Sequence, residues 1–148
     1  MVLIVLLNKK GVTLVEVMIA LVILLLVFLA LMQTALVSIN ANMNNVLRDE
    51  AVSIAEQRMN EARSVPYDTL ISDAVALPVG VDCPTTFTVG DLVQRNFRNI
   101  LSKDFCTNRT VAILDSAGNA KQVNIRVIWN WKGEAFSHTI TTLIRRPN

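Results

Sequence analysis

The chain has 148 residues, with 14 basic and 12 acidic side chains, a formal net charge of +2 and a hydrophobic content of 52%. The hydrophobic excess lies in the first 37 residues. The remainder is long enough for one small domain and too short for two.

The N-terminal segment sets two lysines and a glycine before a single carboxylate and a long apolar run. Residues Lys9–Glu16 read KKGVTLVE, and no charge follows from Val17 to Leu47. As a helix, Val17–Val37 would be about 31 Å long, which is about the thickness of the hydrocarbon core of a bilayer. A plain signal anchor would explain the apolar run alone, but the placement of the charges favours a more specific function.

This segment resembles the N-terminus of type IV pilin-like proteins, which comprise pilins, minor pilins and type II secretion pseudopilins. In that family a basic leader ends in a glycine, which is followed by an aromatic or apolar residue, Thr, Leu, any residue and Glu. The residues in register here are Lys9, Lys10, Gly11, Val12, Thr13, Leu14 and Glu16. The resemblance implies cleavage between Gly11 and Val12 by a prepilin peptidase and N-methylation of Val12, although valine replaces the commoner phenylalanine. An ordinary secretory signal is cut after its apolar region, whereas this cut would leave that region in the mature protein.

Glu16 is the only carboxylate beside the apolar run. A charge at the centre of a membrane helix costs at least about 2.5–3.5 kcal/mol, so such a residue should have a function and a partner. The resemblance implies that Glu16 pairs with the free amine of Val12 from a neighbouring subunit during filament assembly. The alternative is a solvated carboxylate at the cytoplasmic interface.

The apolar residues of the following segment predict that the helix continues to Val65, where Pro66 ends it. The residues of its apolar stripe are Met43, Leu47, Ala51, Ile54, Ala55, Met59 and Ala62. The lysines before the run place the leader in the cytoplasm and the C-terminal part on the exported side. We therefore expect a removed leader at 1–11, a transmembrane and assembly helix at 12–37, its exported half at 38–65 and a periplasmic β domain at 66–148.

The C-terminal part shows a β pattern. We predict three consecutive antiparallel strands, Arg109–Asp115, Lys121–Trp131 and Ala135–Arg145, with turns at 116–119 and 132–134. Thr85–Val89 and Leu92–Phe97 are further candidate strands. Packing of this sheet on the exported half of the helix gives an α+β fold with a pilin-like layout.

No catalytic constellation is present, so we predict a protein that is not an enzyme and has no cofactor or metal. Cys83 and Cys106 predict a disulfide, since the exported side permits one; free thiols or metal ligation are the alternatives. His138 is assigned to the polar side of its strand. Loop carboxylates could supply calcium oxygens as two pairs, but no EF-hand spacing supports this. The two pairs are Asp68 with Asp73, and Asp82 with Asp91.

Charge is divided unevenly along the chain. Ser38–Asp91 holds three basic and eight acidic residues, and Leu92–Asn148 holds nine basic and three acidic residues. Two solvated faces of opposite sign, or complementarity between neighbouring subunits, would each explain this division. Candidate cations for binding DNA or an adhesion target are Arg95, Arg98, Lys103, Arg109, Arg126, Lys132, Arg145 and Arg146.

The C-terminal hairpin and the helix sequence Ala51–Arg63 resemble a minor pilin of the PilV kind or a type II secretion minor pseudopilin. The predicted function is a structural subunit that helps initiate or cap a type IV pilus or a type II secretion pseudopilus. Its partners would be other pilins or pseudopilins, a prepilin peptidase, inner-membrane lipid and an inner-membrane assembly platform; nucleic acid is less favoured. The alternatives are a binding module at a filament tip and an unrelated single-pass membrane protein with a periplasmic domain.

Overall fold

The computed structural model describes residues 11–97 and 100–147. One helix, α1 (Leu14–Ser64), precedes a 3₁₀ turn (Tyr67–Thr69) and a four-stranded antiparallel sheet. Its strands lie in chain order and are β1 (Asp91–Phe97), β2 (Ile100–Ile113), β3 (Ala120–Trp131) and β4 (Glu134–Arg145). The α+β fold is as predicted. Two compact units divide the chain between Met43 and Asn44.

The N-terminal unit consists of the first part of α1 and the residues before it. Every side chain from Gly11 to Ile39 is exposed, and the first buried residue of the helix is Leu47. Leucine and methionine favour helix, and isoleucine and valine tolerate it, so local propensity agrees with the helix seen here. No other described residue of this unit covers these apolar side chains.

In the C-terminal unit, α1 packs one face against the sheet. The buried residues of α1 are Leu47, Ala51, Ile54, Ala55, Met59 and Ala62, which is the predicted stripe apart from the half-buried Met43. Steps of three and four residues place these side chains on one helical face. The helix ends at Ser64, one residue before the predicted end, and Pro66 opens the 3₁₀ turn.

The sheet contains four strands, one more than the three consecutive strands predicted from the sequence. The Leu92–Phe97 candidate is confirmed as β1, whereas Thr85–Val89 is not a strand, because only Val89 makes an isolated bridge, to Ala76. β2 begins nine residues before the predicted Arg109, since pairing with β1 extends it. The turn between β3 and β4 has positive φ at Lys132 and Gly133, as two-residue hairpin turns of type I′ require.

The core between α1 and the sheet is apolar and contains several aromatic side chains. Phe105 packs between Phe97 and Trp129, with ring centroids 6.4 and 6.1 Å apart, and Trp129 stacks on Phe136 at 5.8 Å. Trp129 is 3% exposed, whereas Trp131 is only half-buried. Aromatic pairs at these distances add about 0.5–1.5 kcal/mol each beyond their burial.

The assignment of His138 to the polar side of its strand was wrong. His138 lies opposite buried Val127, and it shares its face with Phe136 and Ile140 because side chains alternate along β4. That face is the one against α1. The Nε2 atom of His138 is buried and has no hydrogen-bond partner among the described residues.

Candidate functional site

The bond between Gly11 and Val12 lies in an exposed, non-helical stretch. Val12 is 71% exposed, no atom lies within 4 Å of the position where a Cβ of Gly11 would be, and α1 begins two residues later. A protease needs an accessible, extended backbone, which a residue inside a helix does not offer. Lys9 and Lys10, which the sequence analysis grouped with this site, lie outside the described residues.

Thr13 caps the start of α1. The backbone N–H of Glu16 donates to the hydroxyl of Thr13 at 3.3 Å and to its carbonyl oxygen at 3.0 Å. Thr-x-x-Glu before an apolar run is the signature of a capping box, a local signal that the sequence analysis did not use. A carboxylate in the first helical turn also interacts favourably with the positive end of the helix dipole.

Glu16 is therefore held at a defined place at the N-terminal end of α1. It lies in the first turn of α1, exposed, four residues after Val12. The apolar side chains that follow it are exposed as well. By length and composition α1 could cross a membrane, and none of its most apolar 18-residue window is buried.

This geometry agrees with a comparison of the sequence with known families. Residues 6–32 match the prokaryotic N-terminal methylation motif. The methylation motif supports a type IV pilin-like protein and implies processing by a prepilin peptidase and assembly with other pilins. The match covers the N-terminal segment alone.

No curated protein and no solved structure matches the chain.

The predicted cysteine pair lies in the C-terminal unit. Cys83 and Cys106 form a disulfide with Cα atoms 6.2 Å apart, within the usual range for such bridges. Cys106 is fully buried in β2, and Cys83 lies in the loop before β1. The bridge therefore fixes this loop on the sheet.

Asp82 holds the same loop. Lys103 and Asn130 both donate to its carboxylate, and its own N–H donates to the Asp104 carboxylate at 3.0 Å. Burial acts to raise the pKa of Asp82, but the hydrogen bonds from Lys103 and Asn130 outweigh it and hold the pKa below the ordinary value of 3.8. The carboxylate consequently remains ionised at neutral pH.

Asp73 connects the helix, the loop and the sheet. Its carboxylate accepts from Arg58 of α1 at 2.9 Å, and from the guanidinium and backbone N–H of Arg109 in β2 at 3.1 and 2.8 Å. The side chain of Asp73 is 10% exposed. Charge-assisted hydrogen bonds of this kind are about twice as strong as neutral ones, so this cluster is a principal anchor of the loop.

Half of the eight candidate cations for DNA or adhesion are neutralised by carboxylates of the chain. Four of them pair with carboxylates from the acidic segment: Arg95 with Glu50, Lys103 with Asp82, Arg109 with Asp73, and Arg146 with Asp68. The acidic residues of the first segment and the basic residues of the second thus form ion pairs with each other in the fold. Arg126 and Arg145 are exposed and make no ion pair with any described residue, and Arg98 lies outside the described residues.

The four carboxylates considered for calcium are each ion-paired with a cation of the chain in the structure. Asp91 pairs with Arg58 at 3.3 Å and so shares that cation with Asp73. In residues 11–97 and 100–147, no group of three or more His, Cys, Asp and Glu side chains is arranged to hold a metal ion.

Tyr67 anchors the chain where α1 ends. Its hydroxyl donates to the carbonyl of Gly118 at 2.7 Å, and the Lys121 ammonium lies 4.5 Å from its ring centroid. Desolvation and, to a smaller extent, the charge of Asp115 raise the pKa of the Tyr67 phenol. These contacts fix the turn after the helix to the β2–β3 connection.

Proposed function

We propose that this chain is a minor pilin or minor pseudopilin that helps initiate or cap a type IV pilus or a type II secretion pseudopilus. The observation that carries the proposal is the methylation motif at residues 6–32, which continues into a helix whose apolar side chains are exposed. A minor role, as opposed to that of the bulk subunit, rests on the resemblance of the C-terminal hairpin and of Ala51–Arg63 to minor subunits.

The first step of the mechanism is proteolysis. Cleavage between Gly11 and Val12 removes the leader and leaves the new amine of Val12 four residues before Glu16. N-methylation then modifies that amine. Because the cut precedes the apolar run, residues 12–37 remain as the membrane anchor, while 38–65 and the β domain at 66–148 lie on the periplasmic side of the inner membrane.

The second step is recruitment. The Glu16 carboxylate of one subunit pairs with the Val12 amine of its neighbour, which offsets the cost of holding either charge beside hydrocarbon. Pairing of this kind also sets the axial position of one helix against the next. The exposed apolar side chains of α1 then pass from lipid into a bundle of similar helices. An assembly platform and an ATPase would supply the work.

Processing tests the first step directly. The intact mass of the protein extracted from membranes should equal residues 12–148 plus one methyl group and minus two hydrogens for the disulfide. The same protein from cells without a prepilin peptidase is the control and should keep the leader. A native protein that retains Met1–Gly11 in cells with an active peptidase would contradict the proposal.

Recruitment is tested by Glu16→Gln, with Glu56→Gln as the matched control. Both are exposed carboxylates of α1, and the substitution removes charge while keeping shape. We expect Glu16→Gln to be processed normally but lost from sheared filaments, and Glu56→Gln to be incorporated as the wild type is. Wild-type incorporation of Glu16→Gln would show that this carboxylate does not direct assembly.

The alternative of a DNA-binding tip module loses support from the internal ion pairs. Phosphate-driven affinity requires cations whose charge is not already compensated, and it weakens steeply as salt rises. With Arg95, Lys103, Arg109 and Arg146 engaged by carboxylates, the basic half of the sequence does not form a correspondingly basic surface.

A further inference from the structure

The face of the sheet that points away from α1 carries a regular set of polar side chains. Strand register places two rows of three residues directly opposite one another across β2, β3 and β4. We call this set the polar grid. Its rows are Asn108–Arg126–Thr139 and Thr110–Asn124–Thr141. Opposed residues in a sheet have Cβ atoms about 4.5–5.5 Å apart, so each row is one continuous hydrogen-bonding surface.

A loop turns this surface into a groove. Residues Thr86–Val89 form one wall, and the polar grid apart from Thr141 supplies the floor, around a volume of about 420 Å³. The loop is held there by the disulfide and by a hydrogen bond from the Asn108 amide to the Val89 carbonyl at 2.9 Å. The volume is within the range of small-molecule sites.

Internal hydrogen bonds fix the orientation of both amides in the floor. The Oδ1 atom of Asn124 accepts from Gln122 at 3.2 Å and from the Thr141 hydroxyl at 2.8 Å, which leaves its Nδ2 group to donate. Asn108 donates through Nδ2 to Val89, which leaves its Oδ1 to accept. The groove therefore presents a preorganised donor and a preorganised acceptor beside the hydroxyls of Thr110 and Thr139.

Arg126 gives the groove its charge. It lies in the middle of one row, it is exposed, and its guanidinium has no hydrogen bond or ion pair with any described residue. No carboxylate from the described part of the chain lines the groove. This contrasts with Arg95, Arg109 and Arg146, each of which pairs with an acid of the chain.

We propose that this groove binds an acidic saccharide, that is, a sugar chain bearing carboxylates. The Arg126 guanidinium would hold a carboxylate through paired N–H donors, the geometry for which arginine is suited. The amides and threonine hydroxyls match the dense hydroxyl groups of a sugar ring, and the half-buried Phe87 ring of the wall offers an apolar surface for its C–H face. An acidic peptide fits less well, because the floor has no apolar pocket for side chains. The proposal does not depend on the filament role.

The test is binding of an oligogalacturonate of defined length to the purified full chain in a detergent without a sugar headgroup, measured by calorimetry. The neutral oligogalactose of the same length and an aspartate-rich peptide are the comparison ligands. We expect the oligogalacturonate to bind at least about tenfold more tightly than the neutral oligogalactose, since a hydrogen-bonded charge contributes about that factor. The peptide carries carboxylates but no ring hydroxyls for the amides and threonines of the groove, so it should also bind more weakly than the oligogalacturonate.

Two substitutions separate this site from general charge effects. Arg126→Gln should weaken oligogalacturonate binding about tenfold or more, while Arg145→Gln, which removes another exposed and unpaired arginine of the same face, should leave it unchanged. Thr139→Val keeps the side-chain shape and should weaken binding several-fold. Near-ultraviolet circular dichroism confirms that each variant is folded.

Three results would overturn the proposal. One is the absence of oligogalacturonate binding by the wild type. Another is equal loss of affinity in Arg126→Gln and Arg145→Gln, which would reduce the effect to net charge. The third is binding of the aspartate-rich peptide as tight as that of the saccharide and equally dependent on Arg126, which would assign the groove to an acidic protein segment.

Discussion

Removal of the Asp73 carboxylate should be one of the most damaging single changes in the C-terminal unit. Asp73→Ala leaves the Arg58 and Arg109 side chains, which are 17% and 20% exposed, without their shared acceptor. The Nε atom of Arg109 is already buried without a hydrogen-bond partner among the described residues, so Arg109 has no second acceptor to replace Asp73. Arg58 keeps weaker pairs with Asp91 at 3.3 Å and Glu61 at 3.6 Å.

Breaking a buried ion pair costs about 3–5 kcal/mol, and the remaining partners of Arg58 place this case near the lower limit, at about 3 kcal/mol. For a unit of this size, that loss lowers the melting temperature by about 10–20 °C. Urea and thermal unfolding of the full chain in detergent, followed by the near-ultraviolet circular dichroism of its tryptophans, measure both quantities.

The matched control is Asp68→Ala. Asp68 pairs with Arg146, but the two side chains are 75% and 51% exposed, and such a surface pair contributes less than about 1 kcal/mol. Equal destabilisation by Asp73→Ala and Asp68→Ala would refute the conclusion that burial makes Asp73 the stronger anchor.

Two further predictions concern the loop before β1. Gly90→Ala should destabilise the unit by about 3–5 kcal/mol in urea unfolding, because a Cβ would lie 2.0 Å from the Thr107 carbonyl oxygen at a φ of +142°. The control is Gly80→Ala, at φ +87° with open space around it, which should cost only about 1–2 kcal/mol. Equal losses of stability in the two variants would contradict the predicted clash at Gly90. Asp82→Asn should lower stability by up to about 1 kcal/mol at neutral pH. Because folding lowers the pKa of Asp82, the stabilisation by its carboxylate is fully present above the ordinary value of 3.8 and is lost as pH falls through the folded pKa. The difference in unfolding free energy between the wild type and Asp82→Asn should therefore shrink in acid, and a difference that stays constant would refute this prediction.

Periodicity made much of the fold predictable. The buried stripe of α1 was found in advance because an amphipathic helix repeats its pattern every three or four residues, and β3 and β4 were found because they alternate. Leu92–Phe97 could only be a candidate, since its strand character depends on pairing with β2, and that pairing involves residues distant in sequence. The structure pairs Cys83 with Cys106; oxidation of this pair in the purified protein and the role of Glu16 stay predictions, which intact mass and filament incorporation test.

The sequence by itself determined the N-terminal segment, because charge, glycine, cap and apolar run all act on their immediate neighbours. Only the tertiary structure decided which charges meet. It joined acidic residues on and after α1 to basic residues of the sheet, and it left Arg126 without an ion pair among the described residues. It also turned His138 toward the helix. These outcomes depend on strand register and on contacts between residues far apart in the chain, and a one-residue change of register would reverse the face of every side chain involved.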